Sequence, residues 1–166
     1  MSTQLTLDPV LQLISNHHIA EVWQNKATGQ NSLHATISFR PGEVISDFSA
    51  GTIVNHPTYL TVQVDTDKHI TLQPEFLQYA NHSCHPNAFF DTTLMQFICL
   101  RPIQEGEEIT FFYPSTEWSM VQPFYCYCGY EKCLQDIRGA AHIHPETIKQ
   151  YRLTDFIRKQ LGKRKP

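Results

Sequence analysis

The sequence predicts a mainly β (α+β) domain, and two observations carry that prediction. Short apolar runs recur at close spacing between residues 33 and 113, divided by Gly, Pro, Asn and Asp turns. Helical patterns are few, and the clearest lies at the end of the chain, after Pro145. At 166 residues the chain makes one domain, long enough to bury a substantial core.

Taken in order, Pro9 to Ser15 reads as one short helix. Leu33 to Phe39 reads as a strand, with Leu33, Ala35, Ile37 and Phe39 on one face. Arg40-Pro-Gly-Glu43 turns the chain into a strand over Val44 to Phe48, ending near Gly51. Tyr59 to Val64 alternates as a strand, Asp65-Thr-Asp67 turns, and His69 to Leu72 returns. Met95 to Leu100 and Glu108 to Tyr113 are further strands, the last stopped by Pro114. Cys99 lies inside its strand and reads as a buried, inert thiol. Pro145 suits a first helical position. Ile148, Tyr151, Phe156, Ile157 and Leu161 then mark one helix, or two short ones with Thr154 as a cap. Gly162 to Pro166 is a basic, frayed tail.

Charge and composition exclude several classes. A formal net charge of −3 and a pI near 6.3 predict no direct nucleic-acid binding. No run approaches the roughly 18 apolar residues of a membrane span. The N-terminus carries no signal-peptide pattern, so an intracellular protein is expected. Oligomeric state has no signature in the sequence.

The chemistry concentrates in Asn81-His-Ser-Cys-His-Pro-Asn87. Pro86 removes an amide proton and biases His85 toward extended geometry, so this stretch is a shaped loop rather than helix interior. Apolar flanks, Phe76 to Ala80 and Ala88 to Phe90, predict burial, and buried polar groups need partners. A second concentration is Cys126-x-Cys128-x4-Cys133, three thiols within eight residues. Thiolates suit tetrahedral zinc, but zinc wants four ligands. The five cysteines leave Cys84 and Cys99 as sources of the fourth, and Cys84, in the polar loop, is the better placed.

These residues carry a family resemblance. Asn81-His-Ser-Cys-x-Pro-Asn87, then Gly106-Glu-Glu-Ile-Thr-Phe-Phe-Tyr113, then C-x-C-x4-C, in that order, resemble the SET-domain protein-lysine methyltransferases with a post-SET zinc segment. Arg40-Pro-Gly-Glu-Val-Ile45 resembles the stretch before that family's first long hairpin. The resemblance implies a SET-type fold of small curved sheets with a C-terminal pseudoknot. It divides the chain into an N-terminal segment (1–26), a SET core (27–120), a post-SET zinc segment (121–138) and a C-terminal helical extension (139–166).

By the same resemblance, the cofactor is S-adenosyl-L-methionine and a structural zinc sits on Cys84, Cys126, Cys128 and Cys133. The acceptor is a protein or peptide lysine. Tyr113 matches the catalytic tyrosine. Phe111 matches the position whose phenylalanine implies di- or trimethylation, and Tyr59 is a second pocket tyrosine. Asn81 and His82 match residues that hold the cofactor. Phe124 or Tyr125 stands near its adenine, with Leu134 and Ile137 as alternatives. One departure falls at the early G-x-G, where Gln30 and Ser32 replace the glycines and Gly29 is displaced. Asn31, Ser32 and Leu33 then offer the cofactor contacts. Phe112 is a second departure, replacing a residue that is often polar. Two other readings use the same residues: a catalytically weak SET-like protein-binding module, and a methyltransferase of a non-protein amine.

Overall fold

A computed structural model describes residues 10–165. The first sheet is antiparallel and holds β1 (Leu11–Asn16), β2 (Ala20–Asn25) and β3 (Asn31–Ala35). A helix was expected over Pro9 to Ser15; Pro9 lies outside the described residues, and Leu11–Asn16 is a strand. It pairs with β2 from Leu11↔Asn25 to Asn16↔Glu21 across a tight reversal, and this pairing overrides the weak local helix pattern. Strand β3 stops at Ala35, short of the expected Phe39. There the chain changes partners: the Ala35 N–H donates to the Glu107 carbonyl, and Phe39 bridges Ile103. Ile37, between the two pairings, is exposed.

The expected strand from Val44 toward Gly51 is two strands in different sheets. They are β4 (Val44–Asp47) and β5 (Ser49–Val54), parted at Phe48, which is buried in the core. Next come β6 (Val62–Asp65) and β7 (Lys68–Gln73), which sheet with β5 in the order β5-β7-β6. Tyr59 is therefore not in a strand; it sits in the turn before β6. A 3-10 turn over Glu75–Tyr79 leads into β8 (Asn81–His82). Strands β9 (Ala88–Asp91) and β10 (Gln96–Cys99) pack with β4 in the order β4-β10-β9. The expected strand from Glu108 to Tyr113 reduces to β11 (Thr110–Phe111), which runs parallel to β8.

Phe90 anchors the main core. It stacks on Phe97 at 4.0 Å and meets Phe111 edge-on at 4.8 Å and Phe48 at 5.5 Å. Past Phe111 the chain alternates, so Phe112 faces the other way. It enters a second core with Ala140, Ile143, Ile148, Phe156 and Ile157, and Tyr151 stacks on it at 3.7 Å. The strands β12 (Phe124–Tyr125) and β13 (Asp136–Ile137) close the cysteine segment. The C-terminal pattern resolves into two short helices, α1 (Pro145–Ile148) and α2 (Asp155–Gly162). Pro145 opens the first, and Thr154 caps the second by accepting the Ile157 N–H. The second departure thus has a physical reason. The position that follows β11 is apolar here because the C-terminal extension packs on it.

Gly139 fastens that extension to the loop after β11. Its φ is +112°, and a Cβ there would lie 2.6 Å from the Trp118 carbonyl oxygen and 2.9 Å from Ser119 Cα. The next two amides donate to the Glu117 and Trp118 carbonyls, so the backbone has no room to shift. Gly139→Ala is expected to cost about 1–3 kcal/mol. Thermal melting checks this; at roughly 2–4 °C per kcal/mol for a chain of this size, the midpoint falls by several degrees.

Candidate active site

The polar loop meets the end of β11 side by side. The Ser83 N–H donates to the Phe111 carbonyl at 3.0 Å, continuing the β8–β11 pairing. Asn87 pins the approach to β11 by donating to the Glu108 carbonyl and accepting the Thr110 N–H, both at 2.8 Å. Asn81 donates through Nδ2 to the Asn31 carbonyl at 2.8 Å and to Glu108 Oε1 at 3.1 Å. These bonds tie β3, β8 and β11 into one wall.

That wall bounds a cleft of about 620 Å³. Asn31, Asn81, Phe111, Tyr113 and Phe124 all line it, so five residues nominated from sequence for cofactor or acceptor contact share one space. Tyr59 stands at the edge of the same cleft, 74% exposed. Tyr113 is packed between aromatic rings: Phe111 at 4.8 Å, His82 at 5.3 Å and Phe124 at 5.8 Å. Its hydroxyl points at the Ala80 carbonyl, 3.5 Å away. Burial, and secondarily the Glu108 carboxylate, push its phenol up to about 12.

Other nominated residues fall elsewhere. Leu33 is sealed in the main core, and its carbonyl accepts the Ile109 N–H. The Ser32 hydroxyl bonds His34 at 2.9 Å, outside the cleft. Strand alternation and the displaced glycine move the contact surface back to Gly29, Gln30 and Asn31. Tyr125 alternates away from Phe124 to a half-exposed position against Tyr127. His82 does not line the cleft. Its Nδ1 accepts the Tyr113 N–H at 3.1 Å, which leaves the proton on Nε2, 3.4 Å from Cys84 Sγ. Burial pushes the imidazole down to about 3, so this bridge is neutral.

The sulfur atoms of Cys84, Cys126, Cys128 and Cys133 all lie within 4.8 Å of one another. A tetrahedral zinc with bonds of about 2.3 Å sets sulfurs about 3.8 Å apart. The Cys84–Cys133 separation is 3.9 Å. Burial pushes the Cys84 thiol strongly up and Cys126 up to about 11, so a cation is needed to hold them as thiolates. Cys99 lies outside this cluster, buried as expected and bonded to the Arg101 carbonyl. The Leu134 N–H donates to Cys84 Sγ, and the Tyr151 hydroxyl donates to the Cys84 carbonyl at 2.8 Å. The cluster therefore joins the polar loop, the cysteine segment and the C-terminal extension.

The cleft also fits a polar ligand. Asn31 Oδ1 is buried in its wall and has no partner among the described residues. Leaving a buried acceptor unpaired costs about 1–3 kcal/mol, which a ligand N–H would offset. One lining residue had no signal in the sequence. Glu117 is only 9% exposed, and its Oε1 accepts the Gln63 N–H at 2.9 Å and the Thr116 hydroxyl at 3.0 Å. Burial pushes its carboxyl up to about 7, against the pull of those two bonds.

A parallel strand pair bringing an Asn-His loop to a tyrosine, beside a four-cysteine cluster, matches the SET arrangement that the motifs predicted. The SET domain family model matches residues 20–114, and the chain belongs to that family. Methyltransferase flvH of Aspergillus flavus is 35% identical over 133 residues, covering 79% of this chain and 74% of that protein. The H3 lysine-36 specific histone-lysine N-methyltransferase of Debaryomyces hansenii is 32% identical over 114 residues, 64% of this chain and 15% of that enzyme. Its namesake from Schizosaccharomyces pombe is 30% identical over 116 residues, 66% of this chain and 14% of that enzyme. Against these histone enzymes the chain thus spans a small part of the relative; against the Aspergillus protein it spans about three quarters. No helix among the described residues is long and apolar enough to cross a membrane.

Proposed function

We propose that the chain is an S-adenosylmethionine-dependent lysine N-methyltransferase with a structural zinc. The observation that carries this reading is the shared cleft, where Asn31, Asn81, Phe111, Tyr113 and Phe124 converge. Bound S-adenosylmethionine supplies an electrophilic methyl group on a sulfonium. Asn31 and Asn81 are the residues that hold it: the first has an orphaned Oδ1, and the second keeps its Oδ1 clear once Nδ2 is spent on Asn31 and Glu108. The Phe124 ring gives an apolar face for an adenine. On the acceptor side, Tyr113 and the Ala80 carbonyl present a donor and an acceptor to an incoming amine. Methyl transfer requires that amine neutral and in line, and alignment supplies much of the rate gain.

Phe111 supports the higher methylation states. It is buried against Phe90 and presents no hydroxyl that would restrain a methylated amine. The zinc ligands are Cys84, Cys126, Cys128 and Cys133. The acceptor is a lysine side chain, which the names of the histone-lysine relatives favour. The test incubates purified, zinc-replete protein with methyl-labelled cofactor and offers histones, a cell lysate and free alkyl amines in separate arms. Label on lysine, in the di- or trimethyl state by mass spectrometry, is the expected result. Label confined to the free amines transfers the reading to a non-protein acceptor. Absence of cofactor binding by calorimetry ends the enzymatic reading altogether.

A further inference from the structure

We infer that Glu117 is the carboxylate that receives the acceptor's ammonium group, which makes a primary alkylammonium the ligand class this cleft selects. The inference rests on the methyltransferase reading of the same cleft and adds a residue that no motif assigns.

Three observations carry it. Among the residues lining the cleft, Glu117 is the one with a formal charge; the rest are apolar, aromatic, amide or hydroxyl side chains. Among the described residues, no lysine, arginine or histidine pairs with it. A glutamate this buried is rarely left without a partner. Its two oxygens also differ. Oε1 is fully used by Gln63 and Thr116, which fix the carboxylate in place. Oε2 has no protein partner among the described residues and is not among the atoms sealed from solvent without one. An oriented carboxylate with one open oxygen, in an otherwise uncharged cleft that also holds Tyr113, is a cation site waiting for its cation.

The placement serves the chemistry as well. The acceptor arrives as an ammonium and must lose a proton before its lone pair can reach the methyl carbon. A carboxylate with raised proton affinity can take that proton at Oε2 and later return it to water. The other titratable groups lining the cleft are Tyr59, Tyr79 and Tyr113. Burial pushes the Glu117 carboxyl up to about 7 and the Tyr113 phenol up to about 12, so the charge of Glu117 changes between pH 5.5 and 8.

The test is binding of n-butylammonium, a bare mimic of the lysine side chain, followed by calorimetry or NMR on the full chain with S-adenosylhomocysteine present. The wild-type protein is expected to bind it at pH 8 and to lose at least tenfold in affinity at pH 5.5, where Glu117 is protonated. Glu117→Gln keeps an acceptor for Gln63 and Thr116; it is expected to bind at least tenfold more weakly at pH 8 and to lose the pH dependence. n-Butanol, of similar shape without charge, is expected to bind both proteins alike. Equal affinity of wild type and variant for n-butylammonium, or no saturable binding by the wild type, overturns the inference. Should the variant fail to fold, the pH comparison on the wild type decides alone. A variant that loses cofactor affinity while keeping that of n-butylammonium reassigns the carboxylate to the donor side and also overturns it. Failure of the wild type to bind cofactor, with n-butylammonium binding intact, removes the enzymatic reading and leaves the cation site standing.

Discussion

Replacing Tyr113 with phenylalanine is expected to lower methyl transfer by about 10²–10³-fold, the range seen when one oriented donor is removed from an active site. The fold is expected to survive. The hydroxyl makes one long contact, 3.5 Å to the Ala80 carbonyl, and the ring keeps its packing against Phe111, His82 and Phe124. Loss of so weak a bond costs at most about 1 kcal/mol. The role expected of it is orientation and not proton abstraction. With its phenol pushed up to about 12, Tyr113 stays protonated across the working range and remains a donor. The variant's pH–rate profile should therefore keep the wild-type shape at a lower level. Unchanged turnover removes Tyr113 from the chemistry. A wild-type profile with a basic limb that the variant lacks makes the tyrosine a base instead.

Much of this site was legible from residue order. The loop from Asn81 to Asn87, the strand ending in Tyr113 and the cysteine triplet each have a pattern that survives without neighbours. Choosing Cys84 over Cys99 as the fourth sulfur needed only the contrast between a polar loop and a strand interior, and the cluster geometry agrees. Less legible was anything set by partner exchange. The run from Leu33 alternates cleanly and the run from Val44 is bounded by apolar residues, yet each breaks where the chain leaves one sheet for another, at Ala35 and at Phe48. Alternation reports which side is apolar, not which strand lies beside it.

Glu117 was invisible for a related reason. Pro114-Ser-Thr-Glu-Trp118 has the composition of an ordinary polar turn. Its burial comes from distant elements: Gln63 on β6, which bonds both Glu117 and the Trp118 N–H, and residues 140 and 141, which bond the carbonyls of 117 and 118. His82 shows the converse. Its motif position suggested direct cofactor contact, whereas its ring bridges Tyr113 and Cys84. The chain from the Cys84 sulfur to the imidazole to the Tyr113 backbone amide appears only once β8 and β11 are paired.

That chain makes metal removal the other large-effect experiment. One zinc per chain is expected in purified protein, and stripping it is expected to weaken cofactor binding by at least tenfold, in the range of 10–100-fold effects seen when groups around a metal are disturbed. The segment from 120 to 138 has little else to hold it. Strands β12 and β13 are two residues each, too short to be stable alone. Yet Met120 to Phe124 form one wall of the cleft. Without a cation, burial keeps Cys84 and Cys126 protonated, and the sulfurs have nothing to hold them together. The wall then loses its anchor, and the His82 bridge loses the thiolate that orients it. Structural zinc contributes about 10–16 kcal/mol in small zinc peptides. Here the Phe90 core shares no side chain with the cysteine cluster, so the expected outcome is local: a lower melting midpoint and lost cofactor affinity, with the β-sheet signal retained. Cys84→Ser should reproduce both effects, while Cys99→Ser, remote from the cluster, should reproduce neither. Cofactor affinity that survives complete zinc removal shows that the wall stands on its own packing and separates the metal from the catalytic cleft.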